Sequence, residues 1–329
     1  MTRLLGAFDE LLTSCDVLAL NDQRTIPLMT IFWNGVLPAI TTPFTADDKV
    51  DHAFLRRHVG QMLDAGCTGI VPLGSLGETA TLRIEEKRAI LETVVAAVGT
   101  RGGVVPGVAA LSTADAVAFA QLAAEVGCSG LMVLPPYVYS TDWREMKAHV
   151  SAVINATNLP CMLYNNPIAY KTDFLPEQIA ELAVEHSNLV AVKESSADIR
   201  RIAAIRSLIG SRLHILVGVD DIIVEGVAAG ATGWIAGLVN AFPRESVVLF
   251  ELARQGRFAE LEPLYHWFLP LLKLDTVPKF VQFIKLVQEE VGMGTARVRA
   301  PRLPLTGDEL DQVMQLIRTA LSRTPSLPQ

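Results

Sequence analysis

From residue 35 onward the sequence alternates between short apolar runs and longer amphipathic stretches, and this alternation constrains the fold more than any other feature. The apolar runs have the length and composition of buried strands, and stretches of helical periodicity follow them. They cover residues 35–42, 68–73, 104–108, 130–134, 161–164, 189–193, 214–217 and 233–236. Parallel strands that are buried on both faces and alternate with helices predict a closed barrel. We therefore expect a (β/α)8 (TIM) barrel of the α/β class.

The helical stretches divide the chain into three predicted segments. Helical periodicity covers residues 51–65, 84–98, 113–126, 142–156 and 176–186 within a barrel domain of residues 34–242, and 246–254, 279–290 and 308–321 beyond it. Residues 243–329 are expected to add helices that pack on the barrel, because no low-complexity linker sets them apart. Residues 1–33 are an N-terminal extension, either an extra helix or a start that precedes the true one. Acidic residues interrupt its apolar stretches, which argues against a signal peptide.

Charge and composition exclude several classes of partner. The formal net charge is -7 and the basic residues are scattered, so neither nucleic acid nor an anionic membrane surface is an expected partner. The four cysteines form no CxxC pair and are expected to be buried free thiols in a cytoplasmic protein. The histidines show no metal-ligand spacing, and neither a metal nor an organic cofactor is expected.

Lys193 ends the sixth predicted strand, in the sequence VKESS. Side chains at the carboxyl ends of barrel strands form the active site in this fold. Burial there lowers the pKa of an amine and yields the neutral nucleophile that Schiff-base chemistry requires. The alternative is a lysine that pairs with Glu194 or extends to solvent, and position alone leaves both interpretations open.

Two further groups are candidates at the same edge. Tyr164 ends the fifth predicted strand, in the sequence YNNP, where a phenol could move protons or could simply be a buried tyrosine with a bonded hydroxyl. The sequence GSLGE follows the second strand. Its glycines, Gly74 and Gly77, allow a tight turn whose N–H groups form a nest for a carboxylate, and Ser75 adds a hydroxyl. Alternatively, Glu78 or the threonines at positions 79 and 81 cap the following helix.

Together these sequences resemble the dihydrodipicolinate synthase/N-acetylneuraminate lyase family over about residues 34–322. GVDD at residue 218, GATGWIAGLVNAFP at residue 230 and RAPRLPL at residue 299 fit the same pattern. The resemblance implies a class I Schiff-base enzyme without a cofactor, a small 2-oxo acid or cyclic imine as substrate, and a homotetramer. It implies that Lys193 forms the Schiff base, that Tyr164 relays protons and that Ser75 takes part in catalysis. The residues implied to bind substrate are Gly74, Leu76, Gly77, Tyr137, Gly218 and Ile235.

Three departures from the synthase pattern bear on the substrate. Leu76 replaces a threonine, Val138 replaces one of a pair of tyrosines, and Ala169 replaces an arginine that holds a second carboxylate. The nearest cation to that last position is Lys171. Without the arginine a bidentate, charge-assisted contact is lost, which argues against the substrate of lysine biosynthesis.

The sequences YNNPIAYKTD, VKESSADIRR and LDTVPKFVQFIKL are similar to one branch of the family. That branch deaminates 1-pyrroline-4-hydroxy-2-carboxylate to 2,5-dioxopentanoate and ammonia in hydroxyproline catabolism. The alternatives are an aldolase or dehydratase of 2-keto-3-deoxy sugar acids, a 4-hydroxy-tetrahydrodipicolinate (dihydrodipicolinate) synthase, and a catalytically silent sensor of small acids.

Overall fold

The computed structural model describes residues 33–136 and 142–328, and the strands lie where the apolar runs predict them. Their bounds are β1 Gly35–Pro38, β2 Gly69–Ile70, β3 Gly103–Val104, β4 Gly107–Val108, β5 Leu131–Val133, β6 Cys161–Asn165, β7 Leu189–Glu194, β8 His214–Val217 and β9 Gly233–Ala236. All pairings between them are parallel. Seven strands form one curled sheet in the order β1-β9-β8-β7-β6-β5-β4, and β2 pairs with β3.

Backbone hydrogen bonds join these two sheets into a ring. The N–H of Val71 donates to the carbonyl of Pro38 at 2.8 Å, which links β2 to β1. The N–H of Gly107 donates to the carbonyl of Pro72 at 2.9 Å, which links β4 to the end of β2. The sheet therefore closes into the predicted (β/α)8 barrel.

The prediction of one continuous third strand over residues 104–108 is wrong. It consists of β3 and β4, which are separated by Val105 and Pro106. Proline has no N–H to donate to a ladder, so it interrupts the hydrogen-bond pattern that defines a strand. Its carbonyl still accepts the N–H of Met132 at 2.9 Å, so the barrel wall stays connected across the break.

Apolar side chains fill the barrel interior and the layer between strands and helices. The interior cluster consists of Trp33, Leu37, Val71, Val105, Met132, Leu134, Met162, Tyr164, Ala191, Leu216 and Ile235. Trp33, which the sequence assigns to the end of the N-terminal extension, is buried and lies against Gly130 ahead of β5. It therefore closes the amino-terminal end of the barrel and leaves the carboxyl end for a site.

The helices surround this barrel and continue past the last strand. Their bounds are α1 His52–Asp64, α2 Ile84–Val98, α3 Thr113–Val126, α4 Trp143–Ile154, α5 Pro167–Tyr170, α6 Pro176–Glu185, α7 Arg200–Ile209, α8 Ile223–Ala228, α9 Pro243–Arg254, α10 Phe258–Leu272, α11 Phe280–Glu290 and α12 Gly307–Leu321. Helix α9 packs on β1, and α10 packs on α9 and α12. The 3-10 turn Lys273–Thr276, between α10 and α11, packs against the turn Asp220–Ile222 after β8. No helix in the described part of the chain is long and apolar enough to cross a membrane.

Candidate active site

A cavity of about 520 Å³ opens at the carboxyl ends of the strands. This is the end of a barrel at which loops of different strands converge on one site. Seven of the residues predicted from the sequence line it, namely Gly74, Ser75, Leu76, Tyr164, Lys193, Gly218 and Ile235. Gly77 does not line the cavity and packs against backbone atoms of Ile40 and Leu73. The prediction for Tyr137 falls outside the described residues.

Lys193 is buried at the end of β7, with 6% of its surface exposed. Its Nζ lies 4.1 Å from the centroid of the Tyr164 ring. Burial lowers the pKa of Lys193 to about 8, while the carboxylates of Asp275 and Asp220 act in the opposite direction. The amine is therefore available in its neutral form near neutral pH.

Glu194 does not pair with Lys193, so that alternative is wrong. The Glu194 carboxylate accepts hydrogen bonds from Asn165 Nδ2 at 3.0 Å and from the N–H of Ser196 at 2.7 Å. Successive side chains of a strand point to opposite faces, which places Glu194 on the helix side of β7 and Lys193 inside the barrel.

Gly218, the residue after β8, gives Lys193 the space that it occupies. A Cβ at this position would lie 2.4 Å from Lys193 Cε and 2.0 Å from Ser195 Oγ. Real Cβ atoms do not approach carbon or oxygen so closely, so any side chain here would displace the lysine. The Ser195 hydroxyl is buried and has no hydrogen-bond partner among the described residues.

Tyr164 is buried beside the amine, with its hydroxyl at the cavity wall. The hydroxyl accepts a hydrogen bond from Asn166 Nδ2 at 3.0 Å. Burial raises the pKa of Tyr164 to about 12, although the contact with Asn166 favours the phenolate. The ring meets that of Tyr170 edge to face at 5.7 Å, and the Tyr170 hydroxyl is hydrogen-bonded to Ser75 Oγ. Hydroxyl groups of three residues therefore share one side of the cavity.

Two residues of the turn after β2, Ser75 and Leu76, line the cavity. The N–H groups of Ser75 and Leu76 donate to no group in the part of the chain that the structure describes. Leu73 and Glu78, on either side, have left-handed backbone conformations, with φ of 60° and 53°. Such a turn can hold a carboxylate through its N–H groups.

Glu78 does not cap the helix after this turn, so that prediction is wrong. Its side chain is fully buried and accepts from Lys285 Nζ at 2.6 Å and from the N–H of Arg299 at 3.0 Å. Lys285 lies on α11, and its Nζ also donates to the carbonyl of Thr42 at 2.8 Å. The Glu78 carboxylate therefore connects the turn after β2 to the C-terminal part of the chain through these hydrogen bonds.

A second buried carboxyl, Asp220, lies under the cavity after β8. It accepts from Trp234 Nε1 at 2.9 Å and from the N–H groups of Gly237 and Leu238 at 3.0 and 2.8 Å. Burial raises the pKa of Asp220 to about 6, and these hydrogen bonds together with Lys193 work against that rise.

Part of the cavity wall comes from the C-terminal helices, and the sequence analysis missed it. Asp275, Thr276, Val277, Pro278, Phe280 and Arg302 all line the cavity. The residues predicted from the sequence lie at strand ends, whereas these residues come well after β9, the last strand, which ends at Ala236. Lys171 is not on the wall: its Nζ donates to the carbonyl of Ile168 at 3.0 Å.

Among residues 33–136 and 142–328, no cluster of histidine, cysteine and acidic side chains could hold a metal ion.

Comparison with known proteins agrees with this architecture. The sequence matches the dihydrodipicolinate synthetase family over residues 33–320. It is 31% identical over 267 residues to a 4-hydroxy-tetrahydrodipicolinate synthase of Methanococcus maripaludis, covering 81% of this chain and 91% of that protein. A 4-hydroxy-tetrahydrodipicolinate synthase of Methanothrix thermoacetophila is 31% identical over 294 residues, covering 88% and 97%.

Solved structures give the same result. The 4-hydroxy-tetrahydrodipicolinate synthase of Methylacidiphilum fumariolicum superposes with a TM-score of 0.83 at 27% identity, covering 88% of this chain and 95% of that one. The dihydrodipicolinate synthase of Aquifex aeolicus gives a TM-score of 0.83 at 26% identity, covering 89% and 100%. The chain belongs to the dihydrodipicolinate synthetase family, whose members are lyases built on a (β/α)8 barrel.

Proposed function

We propose that Lys193 captures its substrate as a Schiff base and that the enzyme deaminates 1-pyrroline-4-hydroxy-2-carboxylate. A buried amine of lowered pKa in the cavity wall supports the first part. Attack on a carbonyl or imine carbon needs the neutral amine. The Tyr164 hydroxyl, in the same wall, is suited to carry protons to and from the nitrogen atoms.

The observation that carries the substrate class is the apolar wall around Ala169. Ala169 lines the cavity next to Ile168, and Leu76 lines it from the turn after β2. A second substrate carboxylate at this wall would gain no charged partner from Ala169, Ile168 or Leu76. An arginine contact to a carboxylate contributes about 1.5–3 kcal/mol, or about one to two decades of discrimination.

The charges near the wall fit a substrate with one carboxylate. Arg302 lines the cavity, but its guanidinium lies 3.7 Å from the buried carboxylate of Glu78. The N–H groups of Ser75 and Leu76 provide the place for the single carboxylate of the cyclic imine.

The chemistry follows from attack of the Lys193 amine on C2 of the ring. The C2–N1 bond breaks and leaves a chain that bears an amine at C5, a hydroxyl at C4 and the Schiff base at C2. The Schiff base acidifies C3, and loss of that proton expels the C4 hydroxyl as water. Isomerisation then places an imine at C5, and hydrolysis at C5 and C2 releases ammonia and 2,5-dioxopentanoate. Overall, the substrate and one water give these two products.

A second candidate is 4-hydroxy-tetrahydrodipicolinate synthase, the name that several of the relatives carry. Its reaction joins pyruvate to aspartate semialdehyde and begins with the same Schiff base. Aspartate semialdehyde carries a second carboxylate. The synthase therefore has to accommodate this group at the wall near Ala169, whereas the deaminase does not. Aldolases and dehydratases act on 2-keto-3-deoxy sugar acids, and the several hydroxyls of these substrates would lie against the same apolar wall.

A panel of substrates tests the proposal. Ammonia release from the cyclic hydroxy-imine should exceed condensation of pyruvate with aspartate semialdehyde by at least about tenfold in kcat/KM. Ala169→Arg should move that ratio toward condensation by about one to two decades. Val184→Arg, on the exposed face of α6, should leave it unchanged. If the wild type catalyses the condensation faster, or if Ala169→Arg leaves the ratio unchanged, the synthase function is supported in place of the deaminase.

Two further expectations accompany this proposal. A catalytically silent sensor would bind small acids and turn over nothing in the panel, and measurable turnover excludes it. We also propose a homotetramer, on the family resemblance, and light scattering at working concentration would measure the mass directly.

A further inference from the structure

The turn between α10 and α11 brings one carboxyl group into the cavity. Asp275 lies in the 3-10 turn Lys273–Thr276 and lines the cavity with Lys193. It is partly buried, and it reaches this place because the turn packs against Asp220–Ile222 at the end of β8. A residue from the C-terminal helices therefore faces the buried amine of β7.

Two glycines at neighbouring strand ends make room for the two groups. A Cβ at Gly237, after β9, would lie 2.2 Å from Asp275 Oδ1 and 2.6 Å from its Cγ. A Cβ at Gly218, after β8, would lie 2.4 Å from Lys193 Cε. Because β8 and β9 are adjacent in the sheet, the carboxyl and the amine lie over adjacent strand ends.

The two aspartates near the amine differ in how they are held. Asp220 accepts three N–H groups of the protein and lies outside the cavity wall. Asp275 accepts no hydrogen bond and forms no ion pair within the described residues, although it is part of the wall. The Asp220 side chain is therefore held in place by the protein, whereas the Asp275 carboxyl is available to bind a ligand.

The surroundings of Asp275 favour its protonated form. Burial and the nearby charge of Asp220 raise the pKa of Asp275 well above its ordinary value, and Lys193 offsets only part of that rise. A raised pKa favours the acid form of a carboxyl group, which can donate its proton to a leaving oxygen.

We propose that Asp275 is the general acid that protonates the hydroxyl leaving C4 of the Schiff-base intermediate. This inference rests on the proposed deaminase function. The C3 proton passes to a water molecule, its electron pair turns the C3–C4 single bond into a double bond conjugated with the Schiff base, and the C4–O bond breaks. Asp275 gives its proton to the departing oxygen, which leaves as water. The resulting carboxylate accepts the proton that C5 loses as the imine forms, and the acid is restored.

Asp275→Asn tests this role because it keeps the shape and removes the acid. Ammonia release from the cyclic hydroxy-imine should fall about 10²–10⁴-fold. Borohydride trapping of pyruvate on Lys193, and exchange of the methyl protons of pyruvate with deuterium oxide, should stay within about threefold because neither step expels a hydroxyl. With the hydroxy-imine, the trapped adduct of the variant should retain the C4 hydroxyl and be heavier by one water than the dehydrated adduct.

Asp221→Asn is the matched control, since Asp221 lies in the neighbouring turn and does not line the cavity. It should release ammonia at the wild-type rate. Ammonia release by Asp275→Asn within threefold of wild type would overturn the acid role and leave the deaminase standing. Loss of pyruvate trapping together with turnover would also overturn it, because Asp275 would then only support Lys193. A wild type that releases no ammonia would overturn the deaminase itself.

Discussion

Tyr164 and Lys193 are partners in register on the neighbouring strands β6 and β7, and the Lys193 Nζ lies 4.1 Å from the centroid of the Tyr164 ring. The parallel ladder fixes both Cα positions, so the relation between phenol and amine is set by the barrel before any ligand arrives. Such preorganisation lowers the entropic cost of bringing catalytic groups together. Burial, rather than the ring itself, lowers the pKa of the Lys193 amine.

The lowered pKa of Lys193 predicts how its reactivity changes with pH. A lysine acylates only as the neutral amine, so competitive labelling with an acylating reagent should rise with pH and level off above about 8. The nearby carboxyl groups of Asp275 and Asp220 oppose this lowering of the Lys193 pKa, and burial outweighs them. Labelling of the exposed Lys49 should keep rising, because Asp47 raises its pKa. Parallel curves for the two lysines, read by mass spectrometry, would contradict the lowered pKa.

Tyr164→Phe should reduce kcat by about 10²–10⁴-fold, because it removes the hydroxyl and keeps the ring over the amine. The melting temperature should change little, since the loss is confined to the hydrogen bonds of one hydroxyl, among them that from Asn166. Tyr265→Phe is the control: its hydroxyl donates to the carbonyl of Asp221, outside the cavity, and turnover should be unaffected. If Tyr164→Phe retains activity within a few-fold, the tyrosine is structural.

Gly218→Ala should impair Schiff-base formation more than folding. The new methyl would meet Lys193 Cε at 2.4 Å and force the amine from its place. Displacement by about 1 Å can cost about 10²-fold in rate, whereas overpacking costs about 1–3 kcal/mol of stability. Gly60→Ala, inside α1 with its nearest contact at 4.0 Å, should trap pyruvate normally and stabilise the helix by about 1 kcal/mol. Equal trapping rates for the two variants would show that the space at Gly218 is unimportant.

Lys285→Met should lower the free energy of unfolding by about 3–5 kcal/mol, because the buried carboxylate of Glu78 then keeps only the more distant guanidinium of Arg302, at 3.7 Å, as a cation. Adding Glu78→Gln should restore part of this loss, since the buried charge is then removed as well. Lys279→Met, which breaks an exposed pair with Glu309, should cost no more than about 1 kcal/mol. Urea midpoints at one protein concentration give the comparison, and similar losses for both lysines would argue against a structural role for the Glu78–Lys285 pair.

The barrel could be predicted from the sequence because strands buried on both faces are nearly continuous apolar runs. Residues at the ends of those runs, Tyr164 and Lys193, could be placed at one edge for the same reason. The interruption of the third strand at Pro106 was harder to predict, because valines with high β-propensity surround the proline. Only its missing N–H breaks the ladder.

The parts of the site that the sequence did not reveal depend on tertiary contacts. Glu78 looked like a helix cap because it precedes a helical stretch, and its partner Lys285 lies 207 residues away. Asp275 reaches the cavity only because α10 and α11 carry its turn onto the end of β8. No periodicity or local spacing encodes either contact.

The central claim is that Lys193 is the amine that bonds the substrate, and one measurement tests it directly. The protein is incubated with the cyclic hydroxy-imine and borohydride, its intact mass is measured, and the modified peptide is sequenced. We expect one adduct per chain on Lys193, formed also with pyruvate, and none in Lys193→Ala. An adduct on another lysine, such as the buried Lys285, or full turnover by Lys193→Ala, would contradict it.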